Sequence, residues 1–196
     1  MRIRIVALAL GVVSALCITG CAPSSTAYMV DYPYYSSIDE LAQASGLVVR
    51  GTVISSRVEN VNTSISTEPT STNPTLNPQA GMPSPAPVPD SYMVYTYYKI
   101  NVTDCYKGCD LVGTTIEIAE PGGRYKGVNY ECPSSVPLDQ DKTYILFGTQ
   151  PENGSAYLLS PSQAVYEGDP DAVGNYGGVS SDNELKLTQD QLQALT

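Results

Sequence analysis

The most regular alternation of apolar and polar residues along the chain lies in segment 91–105, SYMVYTYYKINVTDC. One face of this segment carries apolar residues: Val94, Tyr98, Ile100 and Val102. The other face carries tyrosine and polar residues: Tyr95, Tyr97, Lys99 and Asn101. Because a period of two is that of a β-strand, the segment predicts a long strand with one covered face.

The same alternation predicts further strands. Segment 47–58, LVVRGTVISSRV, places four residues on one face: Leu47, Val49, Gly51 and Val53. A glycine inside a strand marks a bend or a close backbone approach, as in the first strand of a small barrel. Ile116 and Ile118 repeat the alternation, and Asn153-Gly154 predicts a hairpin between TYILFGTQ and AYLLS. Together these patterns predict about five or six strands.

Two short helices are expected at the ends of this β-rich region. Ser37 and Glu40 have the spacing of a capping box, and Gly46 is placed to end the helix that follows. Thr188 and Gln191 form a second capping box close to the carboxyl terminus. The fold class predicted is therefore mainly β, with a short N-terminal and a short C-terminal helix.

The remaining segments show no such periodicity. Residues 62–90 are dominated by Ser, Thr, Pro and Asn, so they bury too little apolar surface to fold and predict a disordered insertion. The alternative, an interdomain linker, is weaker because one helix and one strand are too small to fold alone. Residues 168–196 are predicted as a Gly- and Asp-rich tail that carries the last helix.

The amino terminus has the pattern of an export signal. Arg2 and Arg4 form a basic start, and the apolar run over residues 5–17 is too short to span a membrane. Residues 1–20 are therefore predicted to be a signal peptide. Residues 21–36 follow without helical or alternating pattern and are predicted to be a flexible tether.

Ile18-Thr19-Gly20-Cys21 resembles the lipobox of bacterial lipoprotein precursors. The resemblance implies that the Cys21 thiol carries a diacylglycerol, that cleavage occurs just before it, and that the new amino terminus is acylated. Several acyl chains are enough for stable anchoring, which implies a location on the extracytoplasmic face of the cell membrane. The alternative is an ordinary secretory leader in which the cysteine stands by chance.

Charge and composition exclude several kinds of binding partner and catalytic mechanism. Without Arg2 and Arg4, eight basic residues stand against twenty acidic ones, a formal charge of 8 − 20 = −12. This charge disfavours nucleic acid and anionic lipid or polymer as partners. The chain has no His, which excludes Ser-His-Asp and Cys-His catalysis and leaves zinc short of ligands. We predict no cofactor and no metal, and no nucleic-acid partner.

Three cysteines remain once Cys17 is removed with the leader and Cys21 is lipidated: Cys105, Cys109 and Cys132. In an oxidising compartment, pairing is the default, so one disulfide is expected and one cysteine is left over. Cys105 and Cys109 bracket a short loop and are one candidate pair. Cys132 closing a longer loop with either of them is the other.

The order of these elements over residues 37–167 is similar to the single-domain OB-like barrels of exported bacterial proteins. The resemblance lies in the pattern of elements and implies a small barrel of the five or six strands predicted above, with no catalytic residue carried over. A β-sandwich is the rival fold, but it needs more strands than the pattern supplies.

The candidate binding surface combines aromatic and basic residues: Tyr95, Tyr97, Arg124, Tyr125 and Lys126. The alternative is that tyrosine simply favours strands and that tether residues such as Tyr34 and Tyr35 cover this face. We therefore predict a non-enzymatic lipoprotein that is anchored in the membrane by lipid and binds an envelope protein or glycan.

Two alternatives to this function remain open. One is a cell-envelope hydrolase that uses carboxylates, with Asp139 and Asp141 or Glu117 and Glu120 as the candidate pairs. The other is a protease-inhibitor-type module on an OB-like scaffold, which rests on analogy alone.

Overall fold

The computed structural model of the chain describes residues 24–64, 91–108, 110–150, 155–169 and 174–196. The predicted signal peptide, Cys21, Cys109, the Asn153-Gly154 turn and most of the predicted disordered insertion lie outside these ranges. Within them, every helix is too short or too polar to cross a membrane.

The described chain is mainly β, as predicted. The long strands are β2 (Leu47–Asn62) and β3 (Tyr92–Lys107). The shorter strands are β1 (Ser25–Ala27), β4 (Thr115–Pro121), β5 (Gly123–Tyr125), β6 (Val128–Glu131), β7 (Thr143–Gly148), β8 (Ser155–Tyr157), β9 (Val165–Glu167), β10 (Asn175–Tyr176) and β11 (Leu187–Thr188). The helices are α1 (Ile38–Ala44), α2 (Pro161–Ala164) and α3 (Gln189–Gln193).

Six strands form the main sheet in the order β8-β4-β3-β2-β7-β9. β2, β3 and β4 are an antiparallel meander, whereas β8 lies parallel to β4. The edge strands β8 and β9 do not pair with each other in the described residues, so the sheet is not a closed barrel.

The predicted hairpin between TYILFGTQ and AYLLS forms only in part, through an antiparallel bridge, while β8 has its ladder with β4. β8 takes β4 as its ladder partner, and a single bridge between Gly148 and Leu158 joins it to β7. Six residues, 149–154, separate the two strands. A connection of this length does not fix the register as a two-residue turn does, so β8 pairs elsewhere.

β2 changes character halfway along its length. Residues Leu47–Val53, which we call the covered half, are buried almost throughout, while Ile54–Asn62, the open half, are mostly exposed. Gly51 lies in the covered half beside a register shift. A Cβ there would stand 2.5 Å from the Ile100 side chain and 2.7 Å from the Asn101 carbonyl oxygen, so the predicted close backbone approach is confirmed.

Both predicted helix starts are confirmed. The Ser37 side chain accepts a hydrogen bond from the Glu40 backbone N–H at 3.1 Å. The Glu40 carboxylate binds the backbone N–H and hydroxyl of Ser36 instead of returning to Ser37. At α3, Thr188 and Gln191 form the complete reciprocal box.

The described part of the predicted tether is docked onto the domain. β1 pairs in parallel with β6, and the Tyr28 hydroxyl accepts a hydrogen bond from the Val94 backbone N–H at 2.9 Å. The Gln163 side-chain amide binds both the N–H and the C=O of Tyr35, each at 2.9 Å. We call residues 24–36 the strap. Its contacts are too irregular to give a periodic signal, which is why the sequence predicts a linker here.

The tail is also packed, with Leu187 and Leu192 in the main core cluster. One of its links to the sheet is Arg50, whose guanidinium lies 5.8 Å from the ring centre of Tyr106 and 5.5 Å from that of Tyr176. Arg50 also donates to the Tyr176 hydroxyl at 2.8 Å. The predicted loose tail is therefore part of the domain over its described residues.

Candidate functional site

Tyr95 and Tyr97 lie together on the outer face of β3, as the alternation predicts. Their ring centres are 6.2 Å apart. Tyr157 of β8 packs edge-on against Tyr95, also at 6.2 Å between ring centres. We call these three residues the outer tyrosine patch. The sequence indicates Tyr157 as a strand residue but not its place here, because the parallel pairing of β8 with β4 leaves no periodic signal.

Part of this patch is covered by the protein's own side chains. The Arg57 guanidinium lies 4.5 Å above the Tyr97 ring, which is only 9% exposed. Arg57 binds both carboxylate oxygens of Glu117, and Ser155 donates a further hydrogen bond to Glu117 at 2.8 Å. The bonds from Arg57 lower the pKa of Glu117. Tyr97 therefore stays covered, while Tyr157 remains 43% exposed.

Arg124, Tyr125 and Lys126 form the tip of the β5–β6 hairpin, which we call the basic hairpin. Lys126 and Gly127 both have positive φ, 48° and 86°, as in the two-residue turns that suit twisted hairpins. The Lys126 ammonium nitrogen lies 5.2 Å from the centre of the Tyr125 ring. Arg124 and Lys126 are exposed.

The structure separates the predicted single patch into two surfaces. Thr96 points away from its neighbours Tyr95 and Tyr97, and a Cβ on Gly123 of β5 would touch the Thr96 hydroxyl at 2.4 Å. β5 therefore lies on the opposite face of β3 from the outer tyrosine patch. Gly122 and Gly123 have φ of 107° and 125°, values that let the chain turn over the sheet edge after β4.

Glu120 is the most unusual side chain near these surfaces, because it is a carboxyl group only 2% exposed. It stands opposite Thr96 in the β3–β4 register and therefore points to the inner face. Two cavities flank it. One, of about 260 Å³, is also lined by Tyr98 and Cys132. The other, of about 170 Å³, is also lined by strap residues and by the outer tyrosine patch: Val30, Tyr32, Tyr95 and Tyr157.

The surroundings of Glu120 favour uncharged groups. Burial raises the pKa of Glu120 to about 8, against a single opposing hydrogen bond from the Val136 N–H at 3.3 Å. Burial also raises the pKa of Tyr98 to about 12 and that of Tyr32 further. At neutral pH the site thus offers a protonated carboxyl and phenol hydroxyls, which both donate and accept hydrogen bonds.

Cys132 is a free, buried thiol whose Sγ lies 3.4 Å from the Ser134 hydroxyl. The described structure therefore gives Cys132 no disulfide partner. Cys105 lies half-buried near the end of β3, and Cys109 is outside the described residues. The disulfide between Cys105 and Cys109 stays a prediction.

The two carboxylate pairs nominated from the sequence are not brought together as catalytic pairs. Glu117 and Glu120 are three residues apart on one strand and point to opposite faces. Asp139 forms an exposed salt bridge with Lys142 at 2.8 Å, and Asp141 occupies a turn at φ 63°. The second carboxylate that lines the 260 Å³ cavity beside Glu120 is Glu131, a residue that no sequence motif indicates.

The alternation of apolar and polar residues does predict that Glu120 is buried. Ile116, Ile118 and Glu120 fall on one face at period two, which predicts a carboxyl on the covered side of β4. Comparison with known proteins adds nothing to this site, since neither a protein-family model nor a curated protein matches the chain.

Proposed function

We propose that this protein is a membrane-anchored extracytoplasmic lipoprotein whose β domain is a non-enzymatic binding module at the cell envelope. The anchor is supported by the lipobox-like Ile18-Thr19-Gly20-Cys21, which follows directly on an apolar leader. Its lipid chains hold the protein at the membrane, where an envelope glycan or protein is within reach.

An OB-like, partly open barrel is the arrangement that we propose for the domain. It is supported by the β2-β3-β4 meander, by the parallel pairing of β8 with β4, and by the Gly148–Leu158 bridge between β7 and the end of β8. In OB folds, the surface of the second and third strands carries ligands such as oligosaccharides. The strands in that position are β3 and β4, which bear Tyr95 and Ala119.

The observation that carries the binding role is the cavity of about 170 Å³ between the strap and the outer tyrosine patch. Tyr32, Tyr95 and Tyr157 give it aromatic walls whose phenol hydroxyls can donate and accept hydrogen bonds. Its volume is below the 300 Å³ or so of a typical small-molecule pocket, so it fits one sugar ring or one side chain of a larger ligand. We favour a neutral glycan of the envelope.

Binding of the purified protein to a panel of envelope glycans tests this role. We expect Tyr157→Ala to weaken binding about tenfold or more, since exposed aromatic anchors dominate such contacts. The matched control is Tyr34→Ala, which removes a tyrosine that is 70% exposed and does not line the cavity. Equal binding by the two variants contradicts the assigned surface.

Anchoring is tested separately by the intact mass of the membrane-extracted protein and by Cys21→Ser. We expect an acylated, cleaved chain, and we expect the serine variant to leave the membrane fraction. An unprocessed mass, or unchanged membrane partition of Cys21→Ser, overturns the anchoring proposal.

A second candidate function, a carboxylate-dependent hydrolase, is favoured by one observation. Glu120 and Glu131 line the same cavity of about 260 Å³, and Glu120 holds a proton at neutral pH. Such a pair supplies the two carboxyl groups that glycoside hydrolysis uses. Hydrolysis of an envelope glycan that is abolished by Glu120→Gln, with binding retained, favours this candidate over the binding module.

A further inference from the structure

We propose that the basic hairpin is a second membrane contact, which rests on the lipid headgroups beside the anchor and fixes the orientation of the domain. This inference rests on the proposed lipidation of Cys21. Its partner is the anionic surface of the same membrane that holds the lipid chains.

The first step is the direction of β1. Ser25, Thr26 and Ala27 pair in parallel with Asn129, Tyr130 and Glu131 in that order. β6 runs away from the hairpin tip, so β1 does too, and Ser24 lies at the end of β1 that is nearer the tip. The Asn129 N–H donates to the Ser24 carbonyl at 2.9 Å, which fixes the start of the strap one residue from the turn.

The second step is the length of chain between the strap and the anchor. Cys21 is three residues from Ser24, and three residues span at most about 11 Å even when fully extended. A free tether over residues 22–36 would reach about 50 Å. Because the strap is docked, a lipidated Cys21 lies within about 11 Å of Ser24 and so holds the hairpin tip close to the membrane surface.

The third step is the chemistry of the tip. Arg124 and Lys126 are exposed and form no salt bridge within the described residues, whereas Arg50, Arg57 and Lys142 each pair with a carboxylate. Two unpaired cations beside an aromatic ring suit phosphate headgroups and the membrane interface. The mature chain as a whole carries −12, so an anionic surface repels the rest of the domain and attracts this end.

A single tryptophan tests the contact, because the natural chain has none. The lipidated full chain carrying Tyr125→Trp is reconstituted into vesicles of equimolar phosphatidylcholine and phosphatidylglycerol, with and without brominated acyl chains. We expect strong quenching by the brominated lipid. The control Tyr34→Trp, at a side chain 70% exposed on the strap, is expected to show little. Equal quenching at the two positions overturns the hairpin contact.

The basic residues are tested in the same assay by Arg124→Glu with Lys126→Glu. We expect the quenching of the tryptophan at position 125 to fall to the control level in anionic vesicles. Lys99→Glu with Lys186→Glu changes the net charge equally at exposed sites elsewhere and is expected to leave quenching unchanged. If both double variants behave alike, the hairpin charges do not orient the domain.

Failure of the anchor and failure of the hairpin contact give different results. A chain without acyl chains by intact mass overturns both proposals. An acylated chain whose tryptophan at position 125 stays unquenched leaves the anchor intact and overturns the hairpin contact alone. Thermal unfolding of each variant in the same vesicles checks that its fold is retained.

Discussion

The two halves of β2 each carry an arginine that packs on tyrosine, yet the arginines lie in opposite environments. Arg50, in the covered half, is 8% exposed, lies between two rings and leaves its Nε without a partner in the described structure. Arg57, in the open half, is exposed, lies over one ring and is fully engaged by Glu59 and Glu117. The same pairing of side chains thus supports the core in one half and covers a surface in the other.

Glu120 departs most from this contrast. It is a buried carboxyl on β4, although it lies in line with Val58 of the exposed open half of β2. Its pKa of about 8 exceeds the ordinary 4.5, so the folded chain keeps a proton that the unfolded chain releases. The contribution of Glu120 to stability is therefore most favourable below pH 4.5 and becomes less favourable as the pH rises to about 8. We expect Glu120→Gln to remove this dependence and to raise the free energy of unfolding at pH 8 by on the order of 4 kcal/mol.

Urea unfolding of both proteins from pH 4 to pH 9 measures this effect. Glu117→Gln is the matched control, since that carboxyl is paired and its pKa is lowered. Its loss is expected to reduce stability slightly at neutral pH. Parallel pH profiles for the natural chain and Glu120→Gln contradict the burial of a neutral carboxyl.

Removing the arginine of the covered half is expected to have the next largest effect. Arg50→Ala loses two cation–π contacts and the hydrogen bond to Tyr176, and it leaves a cavity. We expect a loss of about 3 kcal/mol in the free energy of unfolding. Arg50→Met keeps the apolar stem and is expected to lose less. An exposed ion pair contributes less than about 1 kcal/mol. If Arg50→Ala loses no more than that, Arg50 and Arg57 do not differ in their contribution to stability.

The strap is docked outside β2, and Gln163 holds its far end. Gln163→Ala leaves the N–H and C=O of Tyr35 without their amide partner, at a side chain only 2% exposed. We expect a loss of about 2 kcal/mol and faster hydrogen exchange along residues 28–36. The control is Gln150→Ala, whose amide also binds a backbone carbonyl but is exposed. Unchanged exchange in the strap shows that its docking does not depend on this clamp.

The arginine of the open half is expected to contribute least. Arg57→Ala removes an exposed ion pair, which we expect to cost less than about 1 kcal/mol and to matter less at high salt. A double-mutant cycle with Glu117→Ala measures the pair directly. A coupling as large as the loss on Arg50→Ala contradicts the contrast between the two halves.

Local patterns predict the elements of this protein better than their pairing. The period-two faces predict β2, β3 and β4, and the capping residues Ser37 and Thr188 predict α1 and α3, because these signals depend on nearby residues alone. The partnership of β8 with β4 depends on contacts distant in sequence, so no local pattern encodes it.

The candidate site shows the same division. The alternation predicts that Tyr95 and Tyr97 share a face, but the separation of the basic hairpin depends on how Gly122 and Gly123 turn the chain. Docking of the strap is equally hidden, since it rests on one amide clamp and a short parallel strand. The burial of Glu120 could be predicted from the sequence, because this residue continues the apolar face of Ile116 and Ile118.

The parallel pairing of β1 with β6 also decides how a mechanical pull on the proposed lipid anchor would enter the domain. A force drawn from Ser24 toward the membrane runs along the strand axis and loads the bonds at Asn129 and Tyr28 in shear, together instead of one after another. Directly behind this ladder, Val30 and Tyr32 form one wall of the cavity beside Glu120. In the anchored protein that we propose, tension on the anchor would be transmitted to that wall.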